Sequence, residues 1–472
     1  MREGPIITFI GKPNNGKSSI ISTLTMDDRI EIGREAGTTT QVNKYHYRFR
    51  NQIVATFYDT PGFEHPRFLY RSLQERGLKG TIQELGRRGY RLDREILVAA
   101  YRSDILSFVV DSSALPNLNT HGYELWILKY LNRDSIVILN PHREPDRRQE
   151  WEEFLGRLQI RNILQFNPTK SGFFEIQRFF SKVEKFFPEI KGLRKWHSLD
   201  FENRLNRSFR LIADKVAEIV QFRHQITIEK GERGRLLERF KFKKGPSLPS
   251  QGGYPKSYRK SYQIERGKEE FFELLNLKER ELHRQLKELW GYYRTPVQEL
   301  QFPIEDEVFN KKLGFSWSKM VLSGLAVGVA VGVVDGGITI GTTLGTTLLS
   351  FAAAGGVAGA SIKPVVDQFS KEVTFQLDRR KGEWLMIAVI LRSLEFLETL
   401  LKHGHANRAP LPVPADPAEW RYRVEIFEAR ESRQLKEIYR NLWKGEKIQK
   451  VKKELVKIMK GKIIIEEIYL KR

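Results

Sequence analysis

The residues with the plainest chemistry stand near the start of the chain. In GKPNNGKSS, Gly11 to Ser19, the residues Gly11, Gly16, Lys17 and Ser18 hold the fixed places of G-x-x-x-x-G-K-[ST]. Glycines at these positions let backbone N–H groups turn inward around a phosphate, and the start of the following helix adds the positive end of its dipole. Lys17 is then placed for the β- and γ-phosphates and Ser18 offers a hydroxyl to Mg²⁺. The expected nucleotide-binding set here is Gly11, Asn14, Asn15, Gly16, Lys17, Ser18 and Ser19. The motif needs a strand before it and a helix after it, and the flanking runs Ile6–Ile10 and Ser19–Leu24 have those characters.

Downstream, Asp59-Thr60-Pro61-Gly62 follows two β-rich runs, Tyr45–Arg50 and Ile53–Tyr58, that read as a hairpin turning at Asn51-Gln52. A carboxylate at the end of a strand facing the phosphate loop can hold the water shell of Mg²⁺, and the Gly62 N–H can reach the γ-phosphate. Between these motifs lies Gly37-Thr38-Thr39-Thr40, where Thr39 is the threonine expected to close on the metal. Lys17, Thr39 and Gly62 are therefore the expected catalytic residues. Ser18 and Thr39 are the direct metal ligands, with Asp59 acting through water.

These motifs must be held by an α/β domain. Residues 1–195 alternate strand and helix signals, which predicts a mostly parallel sheet with helices on both faces. Ile105–Asp111 and Ser135–Leu139 have the continuous apolar character of buried central strands, and Ile163–Phe166 is a last short one. Phe173, Ile176, Phe180, Val183 and Phe187 fall at helical spacing and read as core. Residues 63–93 form a basic, glycine-punctuated segment. Asn140 stands where N-K-x-D would supply an Asp to the guanine edge, but the next residues are Pro141, His142 and Arg143. Asn140 is either a nucleotide-binding residue or the cap of a loop.

From about residue 196 the periodicity changes to long helices. Phe201, Leu205, Phe209, Ile212, Val216 and Ile219 form one stripe; Phe271, Leu275, Leu282, Leu286 and Leu289 form another. Residues 196–310 read as a charged helical region with a mobile Gly/Pro/Ser/Lys/Tyr loop at 241–260. Residues 311–365 read as a Gly/Ala-rich apolar helical hairpin. In it Val321–Val334 and Gly336–Ile362 carry no charge, Gly324, Gly328 and Gly332 line one face, and Asp335 marks the turn. A span of the hydrocarbon core takes roughly 20 apolar residues, so three readings stand: a buried soluble hairpin, one that inserts conditionally, and a permanent span. Lys311, Lys312, Lys319 and Lys363 flank it as an anionic leaflet would require. Residues 366–472 read as helical, with His403 and His405 structural and a basic amphipathic helix bearing Ile448, Val451, Leu455 and Ile458.

The 472 residues include 80 Lys and Arg against 58 Asp and Glu, a formal net charge of +22. Such a balance fits a polyanionic neighbour, either nucleic acid or an anionic membrane, and also a basic thermophile surface. The absence of cysteine excludes disulfides and thiolate metal sites and suits a reducing cytosol. No apolar core of signal-peptide length opens the sequence, so export is not expected.

Together GKPNNGKSS, AGTTT and DTPG resemble the TrmE/Era-type branch of translation-factor-like GTPases. The remainder resembles a bacterial family that joins such a domain to a C-terminal region of unknown function. That second likeness is carried by Arg102-Ser103-Asp104, Val110-Asp111, Leu139-Asn140, the Gly/Ala-rich hairpin and Gly404-His405-Ala406. The resemblance implies GTP as the nucleotide, with Mg²⁺. It also implies an apolar Phe63 in place of a water-orienting Gln, hence slow intrinsic hydrolysis, and a K⁺ held by Asn14. The function expected is a GTP-operated switch at the inner face of the cytoplasmic membrane, with anionic lipids as partner. A ribosome- or rRNA-binding GTPase and a scaffold with a degenerate site are the rival readings. A protein partner or homodimer stays open.

Overall fold

The computed structural model describes residues 4–33, 39–227, 258–298, 332–334, 337–339, 362–367, 372–377, 379, 382–412 and 427–462. The chain forms two compact units. The first comprises Met1–Asn206, Lys287–Pro296 and Thr399–Leu411; the second comprises Arg207–Leu286, Val297–Glu398 and Pro412–Arg472.

The first unit is built on a six-stranded sheet of order β2-β3-β1-β4-β5-β6. Its strands are β1 (Ile6–Ile10), β2 (Asn43–Phe49), β3 (Gln52–Asp59), β4 (Ile105–Asp111), β5 (Asp134–Asn140) and β6 (Ile163–Gln165). All neighbours are parallel except β2 and β3, which form the expected antiparallel hairpin. Strand β4 is buried at every position but its last, because helices cover both faces and leave no solvated side for polar alternation. One apolar layer joins Ile7, Phe9, Ile20, Leu24, Phe57, Phe179 and Phe180, drawn in part from α1 (Lys17–Thr25) and α6 (Phe173–Phe186). The opposite layer joins Ile10, Leu73, Leu97, Phe108, Leu128 and Trp151. Its helices are α2 (Pro66–Arg88), α3 (Arg91–Arg102), α4 (Leu118–Tyr130) and α5 (Arg148–Arg157). Thus the basic segment after DTPG is a helix pair, and α2 is kinked at Gly77, where φ is 64°.

Two later stretches complete this unit. Trp290 packs edge-on against Phe201 with ring centroids 5.7 Å apart, and the Tyr292 and His405 rings stack at 4.0 Å. His405 Nε2 sits 2.7 Å from the Trp290 carbonyl oxygen, and burial pushes the His405 imidazole down to about 3, so it is a neutral donor. This is the structural part expected of it.

In the second unit the described helices include α8 (Tyr258–Leu289), α9 (Glu383–Lys402), α10 (Ala429–Lys444) and α11 (Ile448–Lys460); α7 (Leu193–Gln221) enters it from residue 207. The two long stripes are helical as expected. Helices α10 and α11 bury Leu435, Ile438, Leu442, Val451, Leu455 and Ile458, so the apolar face of the basic C-terminal helix is core here.

The mainly α-helical second half, as expected, also contains a five-stranded antiparallel sheet, β7-β11-β10-β9-β8. Its strands are β7 (Arg223–Thr227), β8 (Gly332–Val334), β9 (Gly337–Thr339), β10 (Ile362–Asp367) and β11 (Glu372–Leu377). EVTFQL alternates with period two, and in the structure Phe375 and Leu377 are buried between Thr374 and Gln376. The described part of the apolar 321–362 stretch is strand where helix is expected. Gly332 pairs with Thr339 and Val334 with Gly337. The rest of that stretch, and the loop at 241–257, lie outside the described residues; Tyr258–Lys260 already belong to α8. Among the described residues no helix is long and apolar enough to cross a membrane.

Candidate nucleotide site

The phosphate loop follows β1 and leads into α1, which starts at a left-handed Gly16 with φ 89° and has no side-chain cap. A Cβ at Gly16 would collide with the Asn140 amide nitrogen, so glycine is required by both the angle and the neighbour. Asn140 is 1% exposed, and its Nδ2 donates to the Asn15 carbonyl at 3.0 Å and to His142 Nε2 at 3.0 Å. The Asn15 side chain turns the other way and donates to the Val109 carbonyl at 2.8 Å. These contacts tie the loop to the ends of β4 and β5.

Lys17 is 6% exposed, with Nζ donating to the Gly11 carbonyl at 2.8 Å and the Lys12 carbonyl at 2.7 Å. Burial lowers its ammonium to about 8, partly offset by the charges of Asp59 and Glu124. Glu124, on α4, is 3% exposed and its Oε2 has no hydrogen-bond partner. Burial raises its carboxyl to about 7 against the pull of Lys12 and Lys17.

Ser18 Oγ donates to Asp59 Oδ2 at 2.6 Å and lies 3.2 Å from Thr39 Oγ1. Burial raises the Asp59 carboxyl, with the Ser18 hydroxyl and Lys17 opposing it, and Asp59 Oδ1 is buried without a partner. Three oxygen donors therefore meet beside one ammonium, the arrangement a hard divalent cation uses.

A cavity of about 820 Å³ opens over these groups, lined among others by Asn14, Gly16, Lys17, Ser18, Ser19, Thr39 and Gly62. Gly11, Asn15, Asp59 and Asn140 lie behind this lining and act on it through the contacts above. Phe63 packs against the α2–α5 apolar layer, while the lining at that corner is completed by Glu64. Asp111, His142, Arg143 and Thr169 also line it.

Residues 6–141 match the family described as 50S ribosome-binding GTPase, and residues 252–460 match Domain of unknown function (DUF3482). A GTPase domain is thus followed by a region similar to DUF3482. Over 141 residues it is 28% identical to tRNA modification GTPase MnmE of Staphylococcus aureus, covering 30% of this chain and 26% of the relative. Over 116 residues it is 28% identical to GTPase Der of Aquifex aeolicus, covering 25% of this chain and 23% of that protein. The chain thus spans about a quarter of the length of these curated relatives. A crystal structure of Aquifex aeolicus Era bound to GDP and AlF4⁻ aligns at 15% identity with TM-score 0.29, over 62% of this chain and 99% of Era.

The sequence reading missed Asp28 in this GTPase domain. Asp28 is fully buried and accepts from the backbone N–H of Tyr293 (2.7 Å), Arg294 (2.9 Å) and Thr295 (2.7 Å) and from Thr295 Oγ1 (2.8 Å). Its own N–H donates to the Gly291 carbonyl at 3.1 Å. Arg408 donates to the Ile30 carbonyl at 2.8 Å, on the segment that leads to Thr39. Gly404-His405-Ala406 precedes that arginine, so its place in the chain has a physical reason. Partners this far apart leave no local signal.

Proposed function

We propose that the chain is a slowly hydrolysing GTP switch that works at a polyanionic surface, with the anionic inner face of the cytoplasmic membrane as the first candidate. The observation that carries the nucleotide half is the meeting of Ser18, Thr39 and Asp59 oxygens beside the buried Lys17. Ser18 and Thr39 would hold Mg²⁺ directly and Asp59 through water, as the oxygen donors and the orphaned Asp59 Oδ1 suit. The ion supplies charge neutralisation on the transferring phosphoryl group. Lys17 exchanges its two carbonyl partners for phosphate oxygens, the Gly62 N–H holds the γ-phosphate, and Phe63 excludes water without orienting it. Release of the Thr39 and Gly62 contacts after hydrolysis frees the two loops, and the clamp at Asp28 is where the first of them is anchored.

Asn14, left-handed at φ 64° on the cavity wall, is the residue for an activating K⁺. GTP turnover is expected to be faster in KCl than in NaCl at equal ionic strength, and Asn14→Ala to remove the difference. Equal wild-type rates in the two salts would end the K⁺ assignment.

The lipid half rests on the charge of +22 and the 321–362 stretch, charged only at Asp335, with its flanking lysines. Flotation of the full chain on anionic liposomes is expected in the presence of a GTP analogue and reduced with GDP. The second reading, an rRNA partner, is favoured by the same charge and by the relatives: the matched family is described as ribosome-binding, and Era has been crystallised with a 16S rRNA fragment. Failure to float together with RNA binding that weakens steeply with salt would replace the membrane by RNA.

A further inference from the structure

We propose that Arg143 selects the base of the nucleotide, by donating to the O6 and N7 acceptors of guanine where a carboxylate would read its N1 and N2 donors. This rests on the reading of the cavity as a GTP site. Arg143 lines the cavity together with His142 and Thr169. It has no hydrogen bond or ion pair among the described residues, so its planar fork of five donors is available.

The neighbouring groups leave the reading to donors. Asn140 is used up behind the phosphate loop by Asn15 and His142. Because His142 Nε2 accepts from the Asn140 amide, a neutral ring carries its proton on Nδ1 and presents a second donor. Thr169 Oγ1 is turned to Asn167 Oδ1 at 2.7 Å.

The described lining holds two carboxylates, Asp111 and Glu64. Asp111 Oδ1 accepts from the Ser113 N–H at 3.0 Å and from the Ser113 hydroxyl. Glu144 and Asp146, the acids that follow in the loop, are not part of the cavity lining, and Asp146 accepts from Ser112 Oγ at 2.8 Å and from Gln165. Glu64 belongs to the Gly62 corner. Guanine shows two adjacent acceptors on its O6/N7 edge and is matched bidentately by an arginine. Adenine puts an amino donor where O6 would be, so the same fork meets one acceptor and one repulsive N–H group.

The test is calorimetric titration of the full chain, in Mg²⁺ and K⁺, with GTP, ITP, ATP and 7-deaza-GTP. ITP keeps O6 and N7 but lacks the 2-amino group, so it is expected within about threefold of GTP. The 7-deaza analogue lacks the N7 acceptor and is expected to bind about tenfold more weakly, and ATP more weakly still. Arg143→Ala, a change at an exposed residue, should bring GTP, ATP and 7-deaza-GTP to within about threefold of one another. The proposal is overturned if ITP binds at least about tenfold worse than GTP while 7-deaza-GTP equals it, since the N1/N2 edge is then being read. It is equally overturned if Arg143→Ala keeps the wild-type preference. Absence of heat with all four nucleotides would instead bring down the GTP-site reading and this one with it.

Discussion

Lys17→Ala is expected to lower GTP turnover by at least about a hundredfold, the scale on which removal of one preorganised charge donor acts on transition-state charge. The ammonium is already in place, held by two carbonyls of its own loop and shielded from water, so little reorganisation precedes its contact with phosphate. The same burial gives a pH signature. Lys17 is lowered to about 8 by desolvation, and a triphosphate beside it must raise that value again. Well below pH 8 the lysine is charged before and after binding, and no proton moves at this group. Above pH 8 the free protein has lost the proton and must take it up to bind, so affinity falls by up to about tenfold per pH unit. Titration at pH 9 in buffers of different ionisation heat should show this uptake in the wild type and not in the variant. Wild-type turnover by Lys17→Ala would sink the assignment of the site.

The difference between what could be read in advance and what could not follows the range of the interactions. The phosphate loop, DTPG and the parallel sheet are legible because each is encoded within a few residues: glycine conformation at Gly16, apolar continuity in Ile105–Asp111, a hairpin of β-rich runs at residues 45–58. Thr39 could be proposed because it stands between two such motifs, and its hydroxyl does meet that of Ser18. The sheet β7–β11 was hidden because its members are short and scattered from Arg223 to Leu377, so no window contains two partners except β8–β9 and β10–β11. There, the apolar glycine-rich run pointed to a helical hairpin, and the short strands between correctly read long helices carried no comparable signal. The departure at Arg143 was visible as a missing Asp. Only the structure shows that the Asn140 amide is occupied and that Arg143 stands on the cavity with no hydrogen bond or ion pair among the described residues.

Asp28→Ala is expected to cost the GTPase unit about 3 to 5 kcal/mol, the range for removing one partner from a buried charged network. That corresponds to a melting temperature lower by about 10 °C for a unit of this size. Three backbone N–H groups, of Tyr293, Arg294 and Thr295, lose their acceptor together, and Arg408, 3.8 Å from the carboxylate, loses its counter-charge. Little can relax into the gap, because Gly291 has φ 85° and a Cβ there would strike the Met26 carbonyl. Asp28→Asn keeps one acceptor oxygen and should cost less. The direction with pH is fixed by the carboxyl. Burial alone would raise it, but the hydrogen bonds from Arg294, Thr295 and Tyr293 outweigh burial and hold it below 3.8. Its stabilisation is therefore complete above the unfolded value and lost as pH falls through the lower folded one. The gap in melting temperature between wild type and Asp28→Ala should be constant from neutral pH down to about 5 and close on further acidification. Below its melting temperature the variant keeps every residue proposed for the phosphates, so GTP should still bind, while the Ile30 carbonyl held by Arg408 is less firmly anchored. A variant as stable as wild type across this range would show that the buried carboxylate is incidental to the fold around Thr39.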